Sequence, residues 1–503
     1  MIDTLARIVG SANVLADAEA RSLAGADLFT PVDRVVPDLV VRPADTAEVA
    51  ELVRALASAN RAIVPRGAGL SYTGGVVPHS PAVVLDLTRL NRMRILPDDM
   101  VAVVGAGCTW ERLAQALQPY GLCVAQSSPI SGSYSTIGGA ASQNVPGTMD
   151  GFLGLCVVLA DGTITHTGSW AVTNSVPFYR NVGPDLTGLF LGDCGAFGVK
   201  TEIALRLVTE PAYAFASFTF ERSEELCAVM LTLQRAGLVT RCFAMDQAKA
   251  AAASQVDANE ALRTAAAVAA RAGSVRAMIS DVAGLRRARA DITEAAWSLH
   301  LTVEARTEQG AIAQMQAARE ICCRQAKEIP AAVPKALHAR PYSVRGFVGP
   351  AGERWVPVHG LCPLSRAGAA LTEMQAAVRA HADELAAAEI KVNWLISSQC
   401  AYILFEPMFY WPDQLDPIHM QYLSARNRAR FASFPHNAAA RALVAAMRDA
   451  LRDIMDRHGA VHMQVGRYYH LADAVDSGSR ALLQRIKRAV DPDGRMNSGA
   501  LEL

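Results

Sequence analysis

Three glycine-rich segments of this 503-residue chain carry the residue types best suited to chemistry. The first is Val64-Pro-Arg-Gly-Ala-Gly-Leu-Ser-Tyr-Thr-Gly-Gly75, which follows a short apolar run. Its glycines let the backbone take up positive φ and lie close against a ligand. Consecutive N–H groups in such a turn form a concavity for phosphate oxygens, with the hydroxyls of Ser71 and Tyr72 as further donors. The spacing is not the dinucleotide fingerprint, because the third glycine after Gly67-Ala-Gly69 would fall where Tyr72 stands. No Gly-Lys-Ser/Thr follows, so it is not a P-loop either. The second segment, Ser127-Ser-Pro-Ile-Ser-Gly-Ser-Tyr-Ser-Thr-Ile-Gly-Gly-Ala-Ala-Ser-Gln-Asn144, crowds small residues and hydroxyls around Gly138 and Gly139 and ends in an amide pair. Backbone that comes close and several neutral donors are what a long flat cofactor needs. The third, residues 183–202, ends a helix-like piece in glycines at 192, 195 and 198 and delivers a strand.

The elements around these segments are short apolar runs alternating with helical patterns from about 37 to 211. Runs at 38–42, 62–65, 81–87, 101–104 and 199–208 read as strands. Residues 48–60 and 109–117 read as helices, the former with Thr46 as N-cap. Runs on either side of Asp161-Gly162 read as a hairpin. After Pro211 the texture changes to an aromatic strand at 213–220 and an alanine-rich helical zone over 248–327. Strands return at 340–361 and 391–409, and a long helix covers 438–458. The expected class is α+β, with a two-subdomain cofactor domain over 1–211, a mixed α/β substrate (cap) domain over 212–440, and a segment over 441–503 that returns to the first domain.

The order PRGAGLSYTGG, STIGGAASQN, LADGT, GPDLTGLFLGDCGAFGVKTEIALRL and DPDGRMNSGAL resembles the FAD-binding vanillyl-alcohol oxidase and para-cresol methylhydroxylase superfamily. The resemblance is strong over about 35–211 and looser over 340–503. It implies FAD as cofactor, with Pro65, Arg66, Gly67, Ala68, Gly69, Leu70, Ser71 and Tyr72 at the pyrophosphate. It further implies Pro129, Thr136, Gly138, Gly139, Gln143 and Asn144 along the ribityl and isoalloxazine, Gly198 and Val199 near the adenine or pyrophosphate, and Asn497 near the ring. Members that tether FAD through a histidine in the first loop carry it where this chain has Leu70, which closes that route. A tether from His or Tyr in the second domain stays open.

Removing a hydride from an alcohol carbon also releases a proton, so a base and orienting groups are expected. Read as an alternating strand, Val461-His-Met-Gln-Val-Gly-Arg-Tyr-Tyr-His470 puts His462, Gln464, Tyr468 and His470 on one face. Tyr468 fits a tyrosine that the resemblance implies at a phenolic substrate, but Tyr469 stands where its arginine partner is expected. A second cluster holds Tyr342, Arg345, Arg354, Trp355 and His359. An arginine there could pair with a substrate carboxylate; on a hairpin, both also read as solvated. Tyr468, His470, His359 and Arg345 are the catalytic candidates.

Lys+Arg and Asp+Glu both number 48, so the chain has no electrostatic footprint for nucleic acid. The ten cysteines include no CxxC and read as reduced thiols of a cytoplasmic protein. No metal site is expected: the His-rich Gly-Asp-Gly-Asn segment of metal-dependent 2-hydroxyacid dehydrogenases is missing, as are HExxH and GxSxG. No signal layout or apolar run of roughly 20 residues is present. The expected function is FAD-dependent oxidation of an aromatic alcohol or a 2-hydroxy acid. A small-molecule substrate and an electron acceptor (oxygen, a cytochrome or a quinone) are the expected partners, and a homodimer is open. A non-redox flavoenzyme of the same superfamily, whose His-His-His run is missing here, and a non-catalytic flavin-fold subunit are the alternatives.

Overall fold

A computed structural model describes residues 1–503 apart from 31–33, 126–127, 146–148, 256–257, 273, 343–346 and 432. The chain forms two compact units. The first comprises Met1–Glu210, Asp416–Tyr422 and Met463–Leu503; the second comprises Pro211–Leu415 and Leu423–His462. The long helix Ala438–Arg457 therefore belongs to the second unit; after the short return at Asp416–Tyr422, the C-terminal segment expected to rejoin the first unit from 441 does so from 463.

The first unit holds two sheets. In one, β1 (Val14–Leu15), β2 (Leu39–Val41), β3 (Ala62–Arg66) and β4 (Ala82–Asp86) lie in the order β1-β2-β4-β3, with β2, β4 and β3 parallel. Parallel strands need a crossover, and the helix Thr46–Ser58 supplies it. It buries Val49, Leu52, Val53 and Leu56 completely, each contributing about 1.5–3 kcal/mol by leaving water. Asp45, not Thr46, caps this helix, its carboxylate accepting from the Glu48 N–H at 3.0 Å; the Thr46 hydroxyl bonds Thr201 instead. In the other sheet β5 (Met93–Leu96), β6 (Val101–Gly105), β10 (Val199–Thr209), β8 (Phe152–Val158) and β9 (Ile164–His166) lie in that spatial order, with β7 (Leu122–Val124) also on β10. β8 and β9 form the expected hairpin across Asp161-Gly162.

The second unit is built on one antiparallel sheet of β11 (Ala212–Phe220), β12 (Arg241–Asp246), β13 (Trp297–Ala305), β14 (Lys327–Ile329), β15 (Arg354–Pro357), β16 (Gly360–Pro363), β17 (Lys391–Gln399) and β18 (Tyr402–Trp411). Its order is β14-β11-β13-β12-β17-β18-β15, with β16 also on β18. The zone expected to be helical over 248–327 is thus cut by β13, a central strand. Register puts Phe218, Leu299, Ala244, Ile396 and Phe405 on one face, all buried, and Ser217, His300, Phe243, Ser397 and Leu404 on the other. Gln234 anchors the helix Ser223–Ala236 to the apolar face through Ser398, which shares that face with Ile396 (2.9 Å to its hydroxyl). Lys249 places the helix Gln247–Ala253 over the polar face by donating to Tyr410 at 3.1 Å.

Candidate cofactor and substrate sites

In the first unit, β3 feeds directly into the loop 67–75. The N–H groups of Ala68, Gly69, Leu70 and Ser71 donate to no described residue, although Gly69 and Ser71 are buried. Buried donors almost always have partners, so this run of N–H groups, unmatched among the described residues, is free to receive an anion. Gly69, at φ +73°, is required: a Cβ there would run into the Arg66 guanidinium. A buried carboxylate holds the far end of the loop. Asp27 accepts from the Gly74 N–H at 2.8 Å, and burial raises its pKa above the usual carboxylate range despite that bond. Tyr422 donates to the Ala68 carbonyl, and its ring meets Tyr134 edge-on with centroids 5.1 Å apart. Burial pushes its phenol up to about 12, so it remains a donor at neutral pH.

The other predicted segments converge on the same loop. Thr136 caps the helix Ile137–Gln143, and a Cβ at Gly67 would strike its hydroxyl. A Cβ at Gly138 would meet Ala106 at 2.5 Å, so the second segment must lie flat on that strand end. The Gln143 carbonyl accepts from the Gln464 N–H at 2.7 Å, and the Gln464 amide donates to the Tyr72 hydroxyl at 3.0 Å. Gly466, at φ +59°, lets the 464–467 turn pass against Thr73. Arg467 then donates to the Gly74 carbonyl and to Asn497 Oδ1, each at 2.7 Å. Pro129, Leu70 and Asn144 are half-buried, and Asn144 takes a left-handed turn at φ 54°.

Several residues have parts other than those expected. Nη1 of the Arg66 guanidinium donates to the Ala24 and Ala26 carbonyls at 3.1 and 2.7 Å, which ties the segment 24–26 to the loop, while Nη2 lies against Gly69. Asn497 is fully buried, and its amide donates to the Gly75 and Cys194 carbonyls at 2.8 and 2.6 Å. With Arg467 on its oxygen, its side chain ties the loops together. Gly198 and Val199 open β10 inside the sheet, where a Cβ at 198 would meet Val157 at 2.7 Å. The stretch 461–470 is not a strand. It runs as bends and turns, broken at Gln464 and Gly466, and no common face gathers its side chains. His462 lies in the second unit, between the His359 carbonyl and Asp456 (2.7 and 2.6 Å). His470 is exposed and pairs with Glu502 at 3.1 Å, which makes it a surface residue. Tyr468 is half-buried, edge-on to Tyr469 with centroids 4.8 Å apart, and directly follows Arg467.

In the second unit His359 is wholly enclosed, and burial pushes its imidazole down to about 3; a buried, weakly basic ring is poorly placed as a general base. Arg354, expected to be solvated, is 1% exposed; it donates to the Gln414 carbonyl at 3.0 Å and sits over the Trp411 ring. Arg345 lies outside the described residues. Asp27, Tyr422 and Arg467 went unnoticed in the sequence because each acts on the loop from far along the chain; only the Arg467-Tyr-Tyr run sat inside a stretch already singled out.

Residues 37–168 match the family described as FAD binding domain. The chain is 32% identical over 191 residues to the glycolate oxidase subunit GlcD of Bacillus subtilis (strain 168), covering 36% of this chain and 39% of that protein. It is 29% identical over 224 residues to the mitochondrial D-lactate dehydrogenase [cytochrome] of Arabidopsis thaliana, covering 42% and 38%. The chain thus spans about two fifths of the length of the curated relatives it matches. Its fold is that of p-cresol methylhydroxylase, at a TM-score of 0.73 and 15% identity over 100% of this chain and 96% of that one. Among the described residues no helix is long and apolar enough to cross a membrane.

Proposed function

We propose that this chain, an FAD-binding protein with the vanillyl-alcohol oxidase and para-cresol methylhydroxylase fold, is an oxidoreductase that removes hydrogen from a CH–OH carbon of an aromatic alcohol or a 2-hydroxy acid. The observation that carries the reading is the run of N–H groups at Ala68–Ser71 with no acceptor among the described residues, inside the region that matches the FAD-binding family. Bound FAD supplies the hydride acceptor. The N–H groups of Ala68 to Ser71 hold the pyrophosphate, and Thr136, Gly138, Gly139, Gln143 and Asn144 line the course of the ribityl chain and ring. Tyr468, half-buried beside the Arg467 latch, hydrogen-bonds the substrate oxygen. Two relatives whose names specify glycolate and D-lactate support a hydroxy acid, and one names a cytochrome, which supports a protein electron acceptor.

The test is direct. Purified protein should show flavin absorbance that survives gel filtration, and that absorbance should bleach anaerobically with D-2-hydroxy acids or aromatic alcohols. Protein that neither carries FAD nor takes it up would defeat the reading. Reoxidation by oxygen compared with reoxidation by cytochrome c would then choose between oxidase and dehydrogenase.

A further inference from the structure

Where β12 finishes, the helix-covered face of the second unit's sheet sets a carboxylate in an aromatic row. Asp246 pairs directly with Trp297 of β13. On its other side, the pairing of Met245 with Leu395 brings Trp394 of β17 next to it. Cross-strand neighbours stand about 4.5–5.5 Å apart at Cβ, so the carboxylate lies between two indoles. A cavity of about 340 Å³ opens on this row, a volume within the range of about 300–1,000 Å³ usual for small-molecule sites. Val378 and Arg379, from the helix Ala367–Ala380, also line it. Ser223 fixes that helix by donating to Gln375 at 3.2 Å.

The polar groups of this wall are left over. Trp297 and Trp394 are each 6% exposed, yet neither indole N–H donates to a described residue. Indoles buried this far usually find an acceptor. The exposed Arg379 guanidinium makes neither a hydrogen bond nor an ion pair among the described residues. Asp246 accepts the Lys249 N–H at 2.8 Å and so caps the helix Gln247–Ala253, but no described cation pairs with it. Lys249 attracts it electrostatically, while the Lys249 ammonium donates to Tyr410 at 3.1 Å. Burial lifts the Asp246 carboxyl to about 6, so just above neutral pH it is mostly ionised. A carboxylate between indoles suits an ammonium, through charge and through the ring faces. An unpaired guanidinium on the same wall suits a carboxylate.

We infer that this cavity binds a free α-amino acid with an apolar side chain, its ammonium on Asp246 between the indoles, its carboxylate on Arg379 and its side chain against Trp297, Trp394 and Val378. The amino acid is an effector, not the alcohol that the flavin oxidises, so this site and the oxidoreductase reading stand or fall separately.

Three probes separate the parts: racemic phenylalanine, phenethylamine (no carboxylate) and 3-phenylpropionate (no ammonium), titrated into the purified protein just above neutral pH. Calorimetry gives the affinity, and tryptophan fluorescence reports from the cavity wall. Wild type should bind phenylalanine about tenfold or more tighter than either fragment. Asp246→Asn keeps a good helix cap and removes the charge. It should weaken phenylalanine and phenethylamine about tenfold and leave phenylpropionate unchanged. Arg379→Met should weaken phenylalanine and phenylpropionate about tenfold and leave phenethylamine unchanged, with Arg379→Lys recovering part of the loss. The fluorescence change should shrink in Trp394→Phe, and circular dichroism should match wild type in every variant. Wild type that binds phenylalanine no better than the fragments, or not at all, would overturn the assignment. So would phenylalanine affinity within about twofold of wild type in both charge variants. Anaerobic bleaching of the flavin by phenylalanine would make it a substrate and overturn the effector role.

Discussion

The loops 67–72 and 193–198 look alike in sequence, each short, glycine-rich and joined to a strand, but they satisfy their N–H groups differently. In 193–198 the buried Asp193 carboxylate accepts from the Gly195 N–H at 2.8 Å and the Phe197 N–H at 3.4 Å, and Lys200 pairs with the same carboxylate. Those two donors are satisfied within the protein. In the first loop the N–H groups of Ala68–Ser71 have no acceptor among the described residues, and the buried acid that serves that loop, Asp27, takes the Gly74 N–H at its far end. Glycine content shows where backbone can approach closely; the presence or absence of an internal acceptor shows which loop awaits an anion.

The contrast can be broken or sharpened by substitution. Gly69→Val should bring the largest loss, since the branched side chain meets Arg66 in a backbone conformation it rarely adopts. FAD affinity should fall by about 100-fold or more with far-UV dichroism retained, read as flavin lost on gel filtration. Asp193→Leu should act on stability instead. It strands Lys200 in the interior and costs about 3–5 kcal/mol in urea unfolding of the apoprotein. If it abolished FAD binding at unchanged stability, the two loops would be alike after all. Tyr422→Phe removes one hydrogen bond to the Ala68 carbonyl and should weaken FAD by about 3–10-fold, equivalent to about 0.5–1.5 kcal/mol. The smallest effect is a slope. Burial raises the Asp27 carboxyl in the fold above its ordinary value. Wild type therefore binds more protons folded than unfolded and loses stability as pH climbs from about 4 through the raised value. Asp27→Asn lacks that loss, so unfolding at a series of pH values should show the variant gaining on wild type as pH rises.

Local signals carried most of the first unit. The glycine spacing, the parallel strands and the Asp161-Gly162 hairpin were legible because each depends on residues close in sequence. β13 was missed although Trp297, Leu299, Leu301 and Val303 alternate with Ser298, His300 and Thr302; long alanine-rich helices on both sides hid the period of two. The 461–470 stretch misled in the opposite way, since its alternating polar residues imitate a strand that Gly466 interrupts. Asp27 and Tyr422 could not be found from spacing, because a carboxylate or phenol that serves a loop across the chain leaves no local pattern.

The first unit is assembled from three stretches of chain, and its loops are fastened by residues made late: Tyr422, Arg467 and Asn497. This sets a schedule for biosynthesis. At ribosomal speeds of about 5–20 residues per second, the Ala68–Ser71 loop emerges roughly 20–90 s before Asn497 does. The nascent loop 67–75 must therefore wait, unlatched, until Asn497 has been made, and loading of the cofactor follows the closing of that latch.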